Sequence, residues 1–261
     1  SKLDAIILME ENNECYKEQE HPLYHARQIA VRRLQNKNDL LVLESPFPSL
    51  ESKKLAAKGK YNQIYLNSKK SNIKSEVIDM KKEVEKGNLG DLSKNLKQKI
   101  SDHLEKNNKI LLFLNRLGMS NYVICRKCGH VIKCDNCDIS LKYHNQKDEL
   151  SCHYCGLKKQ MPDKCPECGS AFISQAGVGT EKIIEELNKI YSNSVIVRVD
   201  GDLKENEQKK RLNAFKNGDI DILVGNSLLI QNHIFDNLKF AAVISADTAL
   251  NSSNFRAAEN N

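Results

Sequence analysis

The chain contains no tryptophan, and its charged fraction of 28% makes it a polar protein, although 40% apolar residues over 261 positions suffice for a core. No stretch approaches the roughly eighteen consecutive apolar residues that a membrane-spanning helix requires. There is no signal-peptide pattern, and the surroundings are Lys-rich, so the cysteines do not read as the disulfide framework of a secreted domain. The expected compartment is the cytoplasm. Gly-x-x-x-x-Gly-Lys-Ser/Thr occurs nowhere, so the loop that cradles nucleotide phosphates is missing. Arginine is scarce, 8 against 32 lysines, and residues 51–110 hold none. There is no initiator Met, and Asn254 to Asn261 look cut off in mid-helix, which gives the expectation of a fragment.

What the chain does have is cysteine in a fixed pattern. Eight of nine stand in four Cys-x-x-Cys pairs: Cys125/Cys128, Cys134/Cys137, Cys152/Cys155 and Cys165/Cys168. Two thiolates two residues apart grip one metal ion from a single turn, and two such turns complete a tetrahedral site, so eight ligands imply two zinc ions. Gly129, Gly156 and Gly169 follow the second Cys of three pairs, where the backbone must turn sharply. Fourteen residues separate Cys137 from Cys152, close to the gap of a zinc ribbon. That gap reads as a hairpin, with Ile139 to His144 going out, a turn at 145–148 and Glu149 to His153 returning. The spacing therefore favours nested sharing: Cys134, Cys137, Cys152 and Cys155 on one ion, Cys125, Cys128, Cys165 and Cys168 on the other. Sequential sharing would span only five residues, which is tight for two opposed turns. Four thiolates saturate each ion, so the sites are structural, and His130 and His153 are expected outside the ligand sets.

Metal also changes the charge balance. The formal charge is +6, and each tetrathiolate zinc carries about −2, which brings the chain near +2. Residues 122–172 then become about −2, a poor phosphate-gripping surface and a better scaffold or protein-docking element. The basic excess lies in 51–110, with fifteen Lys against eight Asp and Glu. Such a run can track a nucleic-acid backbone, but without Arg its specificity is low, and a solvated linker and helix surface is the favoured reading.

Short apolar runs alternate with helical patterns, the signature of an α/β fold with parallel strands. Ala5 to Met9 and Leu40 to Leu43 read as buried strands, with a helix from about His25 to Asn36 between them and another capped by Ser49 and running through Ala57. Residues 60–100 are charged and weakly periodic. A second α/β unit follows, with a helix at Leu96 to Lys106, strands at Ile110 to Leu114, Val195 to Val199, Asp221 to Gly225 and Ala241 to Ile244, and helices ending near Ile190 and Lys216. The cysteine module interrupts this unit directly after Leu114.

These residues resemble the primosomal replication-restart helicases, the primosomal protein N′ (PriA) family. Tyr16-Lys17-Glu18-Gln19-Glu20 with Tyr24-His25-Ala26-Arg27 is similar to the segment after the family's Walker B box, and Pro48-Ser49-Leu50-Glu51-Ser52 to the close of its third helicase motif. Asn115-Arg116-Leu117-Gly118, the eight cysteines with Tyr143-His144 and Cys152-His153-Tyr154-Cys155-Gly156, Gly177 to Glu181, Asp200-Gly201-Asp202, Asp221 to Gly225 and Phe255-Arg256-Ala257 continue the likeness in order. The resemblance implies RecA-like helicase lobes that bind ATP and Mg²⁺ between them and move 3′→5′ along single-stranded or forked DNA, with primosome proteins as partners. It implies nested zinc sites on the second lobe. On this basis 1–60 is expected to be the C-terminal remnant of a first RecA-like lobe, 61–92 a Lys-rich connector, 93–121 with 173–261 a second lobe truncated at its C-terminus, and 122–172 an inserted two-zinc ribbon module.

The departures fall in the catalytic boxes. The Walker B Asp position is Met9, which cannot coordinate a hard cation. Glu10 falls where the attacking water would be oriented and is a vestigial catalytic candidate; the following His is Asn12. The third motif reads Glu44 to Ser49, and Gly225-Asn226-Ser227-Leu228 with Gln231-Asn232-His233 departs from the family's pattern. Phosphoryl transfer needs phosphate, metal and water positioned together, so the chain alone is expected not to hydrolyse ATP. Two functions compete: a piece of a restart helicase active only with a first lobe supplied elsewhere, or an inactive remnant that binds zinc and at most DNA or a partner. An unrelated zinc-ribbon transcription or RNA-binding protein accounts for the cysteines but not for the flanking motifs.

Overall fold

A computed structural model describes residues 3–34, 39–66, 73–114, 122–144, 148–176, 179–226, 229, 235, 238–251 and 256–260. Asn115 to Gly118, the turn at 145–147, Gly177-Val178, Ser227-Leu228, Gln231 to His233 and Phe255 lie outside the described residues. The chain divides into two compact units, residues 1–73 and 74–261.

In the first unit, β1 (Ala5–Leu8) and β2 (Leu40–Leu43) pair in parallel, with Ala5 opposite Leu40 and Leu8 opposite Leu43. Helix α1 (Ala26–Arg33) lies between them in sequence, ending before the expected Asn36, and α2 (Leu50–Ala57) follows. Ser49 caps α2, its side chain accepting from the Ser52 amide, one of the donors a helix start leaves unpaired. Strand residues alternate between faces: Ile6, Leu8, Leu41 and Leu43 are half-buried, whereas Ile7 and Leu40 are exposed.

The second unit is an α/β layer structure. Four parallel strands stand in the order β11 (Phe240–Ile244), β3 (Ile110–Leu114), β10 (Ile222–Gly225), β9 (Ile196–Val199). Ile110, Leu112 and Leu114 point to one face and pack with Leu92, Ile100, Ile183 and Leu187, which brings α4 (Lys94–Leu104) and α5 (Thr180–Ile190) onto that side. Leu111 points to the other face, where α6 (Glu205–Asn217) contributes Leu212 and Phe215. Period-two strands and helices on both faces are what a parallel sheet needs, and each buried Leu or Ile contributes about 1.5–3 kcal/mol. Gly225 ends β10 where a Cβ would sit 2.2 Å from the Val199 carbonyl oxygen, so no larger residue fits.

Residues 60–66 and 73–79 carry no helix or strand, but α3 (Met80–Glu85) and the turn after it are folded. Buried Glu83 accepts from the Asn88 side chain at 2.8 Å and the Lys94 amide at 2.6 Å, and these bonds hold its carboxyl below the ordinary value. The cysteine-bearing residues form β4 (Val123–Cys125), paired antiparallel with β8 (Ile173–Gln175), and a meander of β5 (Lys142–His144), β6 (Glu149–Ser151) and β7 (Lys158–Gln160). Val123, Ile132, Leu141 and Leu150 fill a small core of their own, and α7 (Ala257–Asn260) is the last described element. Among the described residues no helix is long and apolar enough to cross a membrane.

Candidate metal centres

The four Cys-x-x-Cys turns share one backbone design. In each, the amide of the first Cys donates to a carbonyl five residues on: Cys125 to His130, Cys134 to Ile139, Cys152 to Leu157 and Cys165 to Ser170, all at 2.8 Å. The residue after the second Cys donates back to the first Cys, as Gly129 does at 2.8 Å and Gly169 at 2.9 Å. That residue sits at positive φ: +81° at Gly129, +75° at Gly156, +67° at Gly169 and +53° at Asp138. The loop thus points both sulfurs to its inner side, and only Asp138 bears a Cβ in the left-handed region.

Folding brings the turns together in two groups of four, Cys125, Cys128, Cys165 and Cys168, and Cys134, Cys137, Cys152 and Cys155, with the Sγ atoms of each group within 4.8 Å of one another. Outer turns share one group and inner turns the other. Sγ–Sγ distances are 3.6 Å for Cys125–Cys168, 3.7 Å for Cys128–Cys165 and 3.5 Å for Cys134–Cys155. A tetrahedron with Zn–S bonds of about 2.3 Å has edges of about 3.8 Å. These separations are far beyond the roughly 2.05 Å of a disulfide. The two groups fit two zinc ions, and four soft thiolates suit that metal. His130 and His153 belong to neither group; His153 instead stacks on His144 at 6.0 Å.

Each group holds one easily ionised thiol. Burial pushes Cys125 up, but the Cys128 and Lys127 amides and neighbouring thiols outweigh it and bring it to about 7. The Leu157 amide lowers Cys155, also to about 7, against its burial and with help from the Cys134, Cys152 and Cys137 thiols. Sharing a proton with Cys155, together with burial and Cys152, pushes Cys137 up to about 12. Like charges cannot accumulate among four close sulfurs without a cation, and a dication removes that repulsion.

Hydrogen bonds tie this region to the parallel sheet's surroundings. Ser140 Oγ donates to the Asn251 carbonyl at 3.0 Å, and Asn251 Nδ2 donates to the Tyr122 hydroxyl at 3.1 Å. Arg126, between Cys125 and Cys128, donates to the Leu89 carbonyl and the Asp91 carboxylate.

The candidate Glu10 lies in an exposed turn of the first unit at φ +49°, its amide donating to Glu44 Oε2 at 3.2 Å and its carboxylate accepting from Asn13 at 3.4 Å. Met9 is 60% exposed. The buried acid is its neighbour Glu11, which the motif reading did not single out. Glu11 is 1% exposed, accepts from the Arg27 guanidinium, and accepts from the Ser49 amide at 2.7 Å and the Ser49 hydroxyl at 3.1 Å. Burial pushes its carboxyl up, but the Ser49 and Arg27 bonds outweigh that and hold it below the ordinary value.

Comparison with known proteins shows what the chain is similar to. Residues 134–159 match the profile of the PriA DNA helicase Cys-rich region. The chain is 38% identical to replication restart protein PriA of Bacillus subtilis over 98% of its length, covering 32% of that protein. It is 36% identical to the PriA of Haemophilus influenzae over 99% of its length, covering 36% of that protein. For the PriA of Borreliella burgdorferi the figures are 33%, 99% and 39%. The similarity thus covers nearly the whole chain, and the chain spans about a third of the length of the curated PriA proteins it matches.

Proposed function

We propose that this chain is the zinc-bearing part of a PriA-type replication-restart protein, a DNA helicase that moves 3′→5′ at the expense of ATP. In this reading Cys125, Cys128, Cys165 and Cys168 hold one zinc and Cys134, Cys137, Cys152 and Cys155 the other. The observation that carries it is a match along nearly the whole chain that includes both four-thiol groups. Residues 93–121 and 173–261 form the second RecA-like lobe, 122–172 the zinc module set into it, 61–92 a connector, and 1–60 the end of a first lobe. The exposed Ile7 and Leu40 support that last assignment, because parallel strands ordinarily have both faces covered. The partners are single-stranded or forked DNA and primosome proteins, met in the cytoplasm.

ATP turnover is not a property of this chain by itself. It contains no phosphate-cradling loop, Met9 cannot hold Mg²⁺, and Glu10 is an exposed turn residue. Losing the metal-holding carboxylate alone removes several kcal/mol of transition-state stabilisation, on the order of 3. Those same residues favour a second reading, an inactive remnant that binds zinc and at most DNA or a partner protein. Mixing the purified chain with the Walker A-containing portion of a PriA relative separates the two. DNA-stimulated ATP hydrolysis above that of the added portion supports the helicase reading, and no gain supports the remnant.

A further inference from the structure

Asp91 is a buried carboxylate, its side chain 5% exposed, and two cations reach it from different parts of the second unit. Lys182, in the first turn of α5, lies 2.7 Å away. Arg126 comes from the first cysteine turn, and its other arm holds the Leu89 carbonyl. The Asp91 loop is anchored on both sides: Leu92 is fully buried against Ile183 and Leu187, and Gly90 lies against Glu186 of α5. Lys81 of α3 extends over Gly129 of the same cysteine turn, close enough that a Cβ there would meet its Cε at 2.5 Å. Segment 79–93, α5 and the first cysteine turn therefore converge on one buried charge.

The position of Arg126 makes this convergence depend on the metal. It stands between two sulfurs of the first group, and its amide donates to the Phe172 carbonyl at 2.8 Å. A metal that fixes Cys125 and Cys128 fixes the backbone on both sides of Arg126, so the guanidinium is held ready for Asp91. Without that tether Arg126 is free to swing, and Asp91 is left buried beside a single lysine, a costly arrangement. Asp135 occupies the equivalent place in the second group and pairs with Lys159 of β7 at 2.7 Å, within the same module.

We propose that the Cys125/Cys128/Cys165/Cys168 site is a latch: zinc there locks the 87–93 loop to the N-terminal half of α5 through Arg126 and Asp91, and zinc at the other site does not. By linkage the coupling runs both ways, so loss of the clamp loosens the metal in that site. The test is hydrogen–deuterium exchange of the full chain loaded with zinc, read on residues 87–93 and 180–186. Arg126→Ala, which keeps all eight cysteines, and Cys168→Ser should each speed exchange there by at least about fivefold, the low end of ordinary couplings between sites. Cys155→Ser should leave it unchanged. In the reverse direction, Asp91→Asn should speed chelator extraction of one zinc of the two by a similar factor. Unchanged exchange in Arg126→Ala, or an equal rise in Cys155→Ser, overturns the proposal even if both sites hold zinc. Should Cys168→Ser fail to fold, Arg126→Ala and Asp91→Asn decide it.

Discussion

At Asp138 the second cysteine turn does without the glycine that the other three use. Its φ of +53° is tolerable for Asp, and its carboxylate pairs with Lys133 at 3.1 Å on an exposed surface, which contributes little. Asp138→Gly is therefore expected to raise the stability of the zinc-loaded module by about 0.5–1 kcal/mol, read from thermal unfolding followed on residues 122–172. A lower melting temperature would show that the Lys133 pair outweighs the backbone cost. Glu11 supports a pH prediction. Its folded-state value lies below the ordinary carboxylate value, so its stabilisation is present above that ordinary value and is lost as pH falls through the folded one. Acid should thus melt residues 3–66 as Glu11 protonates, and Glu11→Gln should already have lost about 3 kcal/mol at pH 7 by leaving Arg27 buried with only the half-exposed Glu51 carboxylate at 3.6 Å as its anion. A variant with wild-type stability at pH 7 would contradict this. Neighbouring carboxylates are hard to rank from sequence: the turn at Glu10 sends one side chain to solvent and the next inward, and no local pattern marks which.

Among the elements, the cysteine turns were legible because their chemistry is local: ligand spacing, turn and glycine fall within six residues, and the ribbon gap followed from chain length. The strands of the parallel sheet were legible for a related reason, since continuous apolar runs such as Ile110 to Leu114 have no alternative fate in a polar chain. Strand β7 was not expected, because Lys158-Lys159-Gln160 has no apolar alternation and owes its form to pairing with β6. The Asp91 clamp was equally invisible, since its partners lie 35 and 91 residues away along the chain. Chelation should therefore loosen 122–172 together with 87–93, while β3, β9 and β10 keep their exchange protection, because modules with small cores take folding energy from their metal. A uniform loss of protection across residues 74–261 would contradict a separable module.

For the whole molecule, what the sequence contains and what it does not contain are of different kinds. Both four-thiol groups are complete, whereas the phosphate loop and the metal-holding carboxylate are missing from the sequence. The similarity to the PriA proteins runs along nearly the whole chain, which spans about a third of their length. The isolated chain is expected to hydrolyse ATP at background rate with or without DNA, measured by phosphate release in Mg²⁺. A Mg²⁺-dependent rate that survives further purification would mean that other residues hold the nucleotide. The most direct test of the central claim is native mass spectrometry of the chain purified without added metal. About two zinc ions per chain is the predicted result, and a chain that carries one ion or none contradicts it.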